Sequence, residues 1–299
     1  MHTTRALLCD AFTDRPLTGN AAGVVPDADE LSDAQMQAVA RELAVSETAF
    51  VTDSDDADRR LRYFTPTTEV DLCGHATVAT HAHLHEAGVL EAGTHTVETT
   101  VGVLDVELTD DGVVWMTQRD PSVRRLPNLE EESVADALGI EAMSFVDELP
   151  LAVADTGLPF LVVGLDYLST LGEVDPEDAA IRDLCQRVGA KGVYAFTFDT
   201  LEREASLHGR AFCAPVGIHE DPVTGTASGA VGAYLDEVAA FGTDFPDELV
   251  CEQGHYVERP GEVRVRVDDD VRVGGTAATA LDGELTVPPE EDDDEILEA

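Results

Sequence analysis

The chain has 299 residues, 43% of them hydrophobic and 26% charged, enough apolar material for one large domain or two ordinary ones with real cores. Its 61 acidic residues face 18 Lys and Arg, a formal net charge of -43, so its summed field repels phosphate backbones and anionic lipid, and neither nucleic acid nor membrane is expected as a partner. No apolar run approaches the roughly 20 residues of a spanning helix, and the first residues lack a basic head followed by an apolar segment, so a soluble, cytoplasmic protein is expected.

In chain order, short β-branched apolar runs predict strands at Ala6 to Phe12, Thr48 to Thr52, Leu61 to Phe64, Val101 to Leu108 and Val113 to Thr117. Helical patterns are fewer. Ser32 is a good N-cap for a helix to Leu43, with Met36, Val39, Ala40 and Leu43 on helical spacing, and a second helix is predicted from about His75 to Ala87. This mixture indicates an α+β fold. The polar stretch Pro121 to Glu132 reads as a linker, after which earlier motifs return. Thr18-Gly19-Asn20 is echoed by Thr156-Gly157-Leu158, and Arg62-Tyr63-Phe64 leading to Gly74 is echoed by Arg210-Ala211-Phe212 leading to Gly225. Repeated order predicts two related halves, 1–125 and 126–287, with the strand-like segments Val263 to Val267 and Val271 to Val273 able to close either. The acidic segment 288–299 has too little apolar surface to order itself and is expected to be a disordered tail.

The acids are spread along the chain in clusters and Lys191 is the single lysine, a composition that reads as adaptation to high salt, where screening removes self-repulsion. The five cysteines (Cys9, Cys73, Cys185, Cys213, Cys251) show neither CxxC pairs nor zinc spacing and are expected as reduced thiols.

Gly74 and Gly225 each open a run of small residues that reads as a tightly packed helix, and a helix N-terminus attracts an anion, most simply a substrate carboxylate. Gly225, Gly229 and Ala233 put a smooth stripe on one face, suited to close approach of another backbone. Glu69, Asp71, Cys73 and His75 flank the first glycine, and His219, Glu220, Asp221 and Thr226 the second. Carboxylates and imidazoles beside a carboxylate site are the ingredients of proton transfer at carbon. His81 and His85 have the i, i+4 spacing of metal ligands, but no acidic or thiol partner is specified, and no metal site is expected. Dinucleotide, Walker and nucleophile-elbow motifs are missing.

The ordered segments Asp10-Ala-Phe-Thr13 to Gly19-Asn20, Ser46-Glu47-Thr48-Ala-Phe50, Arg62-Tyr-Phe-Thr-Pro66 to Cys73-Gly74-His75-Ala76-Thr77, and Glu220-Asp221-Pro222-Val-Thr224-Gly225 resemble the phenazine-biosynthesis PhzF-like isomerase family over nearly the whole chain. The resemblance implies the diaminopimelate-epimerase-like fold, two pseudo-symmetric halves each with a curved, mostly antiparallel sheet around a central helix. It implies Glu47 as the acid/base that moves a proton between carbons, His75 and Asp221 as assisting catalytic residues, and Gly74, Gly225 and Thr226 as binders of a small carboxylate substrate. Thr226 stands where the family usually has serine. No cofactor is implied, and a homodimer is. Two alternatives stay open: an epimerase or racemase of an amino-acid-like substrate, and a non-catalytic carboxylate-binding protein. The sister epimerases use two thiols. Cys73 suits the first place, but Thr224-Gly225-Thr226 offers none for the second.

Overall fold

The computed structural model describes residues 2–289, and the expected tail falls, from residue 290 on, outside the described residues. The chain divides into two compact units. One holds the residues up to Leu17, Ala21–Val114 and those from Thr276 onward, and the other holds Thr18–Asn20 and Trp115–Gly275.

In the first unit the elements are β1 (His2–Ala11), β2 (Asn20–Val25), α1 (Asp33–Leu43), β3 (Thr48–Thr52), β4 (Arg59–Phe64), β5 (Glu69–Val70), α2 (Gly74–Glu86), β6 (Gly93–Thr99) and β7 (Gly102–Leu108). Strand β3 runs parallel to β2; β4 is antiparallel to β3 and β5 and parallel to β6; β6 and β7 form a hairpin. Ser32 caps α1 in a reciprocal capping box with Gln35, and the helix buries Met36, Val39 and Ala40 in a cluster with Val25, Phe50 and Phe64. Helix α2 is different in kind. It packs on β1, β3 and the chain's last strand, Ala277–Val287, and is buried from Ala76 to Leu84. A helix covered on every side shows no amphipathic stripe. Its polar side chains turn back on its own carbonyls, Thr77 Oγ1 donating to Cys73 O and Thr80 Oγ1 to Ala76 O, both at 2.7 Å, and His81 Nδ1 to Thr77 O at 2.9 Å. The last strand is antiparallel to β1 along its length.

The second unit takes over within β8 (Val114–Thr117) and continues through β9 (Ser122–Arg125), α3 (Glu131–Leu138), β10 (Ala152–Asp155), β11 (Pro159–Gly164), α4 (Leu168–Glu173), α5 (Asp178–Val188), β12 (Gly192–Thr197), β13 (Leu207–Cys213), β14 (Ile218–Asp221), α6 (Gly225–Glu237), β15 (Leu249–Gln253), β16 (Gly261–Val267) and β17 (Val271–Gly275). Its pairings repeat those of the first. Strand β12 is parallel to β11, β13 is antiparallel to β12 and β14 and parallel to β15, and β15 is antiparallel to β16. The stretch read as a linker is therefore partly sheet, since β9 pairs antiparallel with β10. Its side chains are mostly exposed, which is why polar residues suffice there.

The sequence echo has a side-chain basis. Arg62 on β4 grips Glu69 on β5 through two bonds of 2.8 and 2.9 Å, its guanidinium 5.2 Å from the Phe64 ring centre. Arg210 on β13 grips Glu220 on β14 through bonds of 3.0 and 2.7 Å and lies 4.9 Å from the Phe212 ring centre. Each clamp fixes the short strand that leads into a Gly-initiated helix. The small-residue stripe of α6 meets sheet side chains where another backbone was expected: a Cβ on Gly229 would lie 2.9 Å from Val273 Cγ1, and one on Gly232 2.7 Å from Val265 Cγ1. Among the described residues, no helix is long and apolar enough to cross a membrane.

Candidate active site

Glu47 is the last residue before β3, and its carbonyl accepts the Gly23 amide at 3.0 Å, so β2–β3 pairing fixes its backbone. Behind it Thr48, Ala49 and Phe50 are buried. Cys73 is the N-cap of α2 in extended backbone, and Gly74 and His75 are the first helical residues. These segments bring three chemistry-bearing side chains together. His75 Nε2 lies 3.6 Å from Glu47 Oε2, with the two side chains 13% and 24% exposed. The same nitrogen is 3.3 Å from Ser46 Oγ, and Nδ1 is 3.3 Å from Cys73 Sγ. With its proton on Nε2 the ring donates toward Ser46 and Glu47 and accepts on Nδ1 from the Cys73 thiol, a chain along which a proton can move. Ser46 has no role implied by the sequence motif; the segment that leads into β3 places it beside His75.

Asp221, Gly225 and Thr226 belong to the second unit. Asp221 ends β14, and its carboxylate accepts from Asn20 Nδ2 at 3.1 Å and from Thr224 Oγ1. Asn20 also donates to Val223 O at 2.8 Å, and Gln253 Nε2 donates to Asp221 O at 2.8 Å. The N-cap of α6 is Thr224, and neither it nor Cys73 turns its side chain back onto the first-turn amides. Thr226 stands in the first turn. Its carbonyl accepts Thr156 Oγ1 at 3.1 Å, and its Cγ2 would lie 3.7 Å from a Cβ on Gly157, whose φ of 147° is one that side-chain-bearing residues rarely adopt. Thus both halves of the Thr-Gly echo serve the second unit: Asn20 holds Asp221, and Thr156-Gly157 underlies the start of α6. Gln253 carried no signal in the sequence, because its role depends on β15 reaching β14 through the fold.

The two histidines with metal-compatible spacing do not converge. His81 has Nδ1 on Thr77 O and Nε2 3.4 Å from Arg59 Nη1, and burial holds its pKa down at about 4, while His85 Nδ1 bonds Leu90 O at 3.0 Å.

Residues 9–283 match the family of PhzC-PhzF, phenazine biosynthesis-like proteins. The chain is 36% identical over 286 residues to the uncharacterized isomerase YfhB of Bacillus subtilis, covering 93% of this chain and 97% of the relative. The crystal structure of a Bacillus anthracis phenazine biosynthesis protein of the PhzF family superposes with a TM-score of 0.87 at 34% identity, covering 96% of this chain and all of the other. A hydroxyproline epimerase from Agrobacterium vitis, crystallised with trans-4-hydroxy-L-proline, is only 12% identical but shares the fold at a TM-score of 0.59, with 95% of this chain and 92% of that one covered. The mixed α+β, diaminopimelate-epimerase-like architecture is therefore present, and the chain belongs to the PhzC-PhzF phenazine biosynthesis-like family and is an isomerase.

Proposed function

We propose that this isomerase shifts a carbon-bound proton, with an accompanying double bond, on a small carboxylated substrate without a cofactor. The observation that carries the reading is the Glu47–His75 contact of 3.6 Å, partly shielded from water at the start of α2. Glu47 takes the proton as the C–H bond breaks; the electron pair left behind becomes part of the shifted double bond; the same carboxylic acid returns the proton to another carbon on the same face. His75 and Asp221 assist the accompanying movement of polar protons. Gly74, Gly225 and Thr226 hold the substrate carboxylate through helix-start amides and the Thr226 hydroxyl. On this reading the protein works in the cytoplasm of a halophile as a homodimer, as the acid-rich composition and the family resemblance imply.

The test is solvent-deuterium incorporation, read by mass spectrometry, into a panel of cyclic and acyclic amino and hydroxy carboxylates in high-salt buffer. Glu47→Gln should lower exchange by about 100-fold or more. Exchange that persists in the variant removes Glu47 from its role, exchange with inversion of a stereocentre identifies an epimerase, and tight binding without exchange identifies a carboxylate-binding protein.

A further inference from the structure

The Glu47, Cys73 and His75 side chains each present one ligand atom, and these atoms lie within 4.8 Å of one another. The donor set is a thiol, an imidazole and a carboxylate. Such a mixture suits borderline divalent ions of the zinc and cobalt type and is poorly matched to Mg²⁺ or Ca²⁺, which want oxygen alone. Cys73 Sγ is 3.9 Å and Glu47 Oε2 3.6 Å from His75 Nε2. Tetrahedral zinc needs about 3.6 Å between sulfur and nitrogen and about 3.4 Å between nitrogen and oxygen. A turn of the His75 ring and a few tenths of an ångström of closure bring the two pairs that include His75 to these distances, and the Cys73 sulfur and Glu47 oxygen, within 4.8 Å of each other, close toward about 3.6 Å by side-chain rotation.

We propose that Glu47, Cys73 and His75 form a binding site for one Zn²⁺-type cation, held by one carboxylate oxygen, one thiolate and one imidazole nitrogen with a fourth position open to water. The thiol gives its proton to solvent on binding, so two anionic ligands balance the double charge. The other four cysteines are poor competitors. All five cysteines are buried, but among the described residues Cys73 alone has an imidazole and a carboxylate beside it, and burial pushes the Cys9 thiol up to about 11 and those of Cys185 and Cys251 up to about 12, which keeps them protonated near neutrality. Among the described residues no other group of three such ligands converges in this way. A bound ion takes the Glu47 carboxylate out of proton transfer. That consequence rests on the function proposed above; the binding itself does not.

The experiment is a Co²⁺ titration of the full-length protein at neutral pH in molar salt, which suppresses loose adsorption to the acidic surface. The readout is the sulfur-to-cobalt charge-transfer absorption. One Co²⁺ per chain should produce that band, and Zn²⁺ should displace it. Cys73→Ser should abolish the band, with folding checked by circular dichroism; serine is itself a good N-cap, so α2 is retained. His75→Gln and Glu47→Gln should each weaken binding by about tenfold or more, since even outer partners of metal ligands are worth that much. The absence of a thiolate band in the unaltered protein, or its persistence in Cys73→Ser, overturns the proposal. In the unaltered protein, Zn²⁺ should also slow iodoacetamide labelling of Cys73 mapped by mass spectrometry, and an equal rate with and without Zn²⁺ overturns it as well. Deuterium exchange is measured on chelator-treated, metal-free protein: exchange there without metal binding in the titration sinks only the metal site, and metal binding in the titration without exchange in the metal-free protein sinks only the isomerase mechanism.

Discussion

Glu220→Gln and Glu69→Gln remove the same carboxylate charge from the same kind of arginine clamp, one dry and one wet. The Arg210 and Glu220 side chains are 8% and 4% exposed, against 16% and 37% for Arg62 and Glu69. Arg210 is further enclosed by bonds to Leu171 O at 2.9 Å and Val174 O at 2.7 Å, and by the Tyr256 ring, whose centre is 4.5 Å away. Glutamine keeps the shape but leaves the buried guanidinium without a counter-charge, which costs about 3–5 kcal/mol. At the exposed clamp water screens the loss, and Arg62 keeps Asp33 at 2.6 Å, so the cost is about 0–1 kcal/mol. With a urea slope of about 3 kcal/mol per M, Glu220→Gln should lower the unfolding midpoint by roughly 1–1.7 M and Glu69→Gln by less than about 0.3 M. The assay is urea unfolding at constant high salt followed by fluorescence of Trp115, the single tryptophan, which lies in the same unit as Glu220. Equal midpoint shifts for the two variants would refute the argument that burial, rather than the bond itself, sets the cost.

Three further outcomes are expected. Burial pushes the Glu252 carboxyl up, but His208 at 2.8 Å and the Leu201 and Glu202 amides outweigh it and hold the group below its ordinary range. A carboxylate depressed in the folded state adds stability above its unfolded value of about 4.3 and loses it as pH falls through the folded value; urea midpoints should therefore drop more steeply below about pH 4.3 in the unaltered protein than in Glu252→Gln, and parallel curves would remove Glu252 from the acid limb. A Cβ on Gly209 would lie 2.6 Å from Cε1 of the buried Tyr194, whereas one on Gly74 meets nothing within 4 Å, so thermal melts should show a loss of about 1–3 kcal/mol for Gly209→Ala and almost none for Gly74→Ala. Lowering the salt should unmask self-repulsion at a net charge of -43, and circular dichroism showing full structure in dilute buffer would contradict the high-salt reading.

The legible parts of the fold were those decided by local forces. Ser32 and the spacing of Met36, Val39 and Ala40 marked α1 because a cap and an amphipathic face are written in neighbouring residues. The opening of α2 was placed within a residue by Gly74, but its interior had no periodicity to read, since Ala76 to Leu84 are buried on all sides. Strand β9 was mistaken for linker because exposed side chains need not be apolar. Within the site, Cys73, Gly74 and His75 were legible as one helix start. Their meeting with Glu47 rested in the sequence only on family resemblance, because 28 residues and the β3–β4 and β4–β5 pairings separate Glu47 from His75.

The sequence by itself determined the α+β class, a few of the strands and the first two helices, the repeated Arg-x-Phe and glycine-led motifs, the acid excess and the residue types able to carry a proton, all of which depend on residue type and near-neighbour spacing. The tertiary structure alone decided that the last strand closes on β1, that Asn20 holds Asp221, that Glu220 is dry while Glu69 meets water, and that Cys73 and Glu47 share one imidazole. Those outcomes depend on which distant segments exclude water together, and burial is a property of the packed chain that no single stretch of it carries.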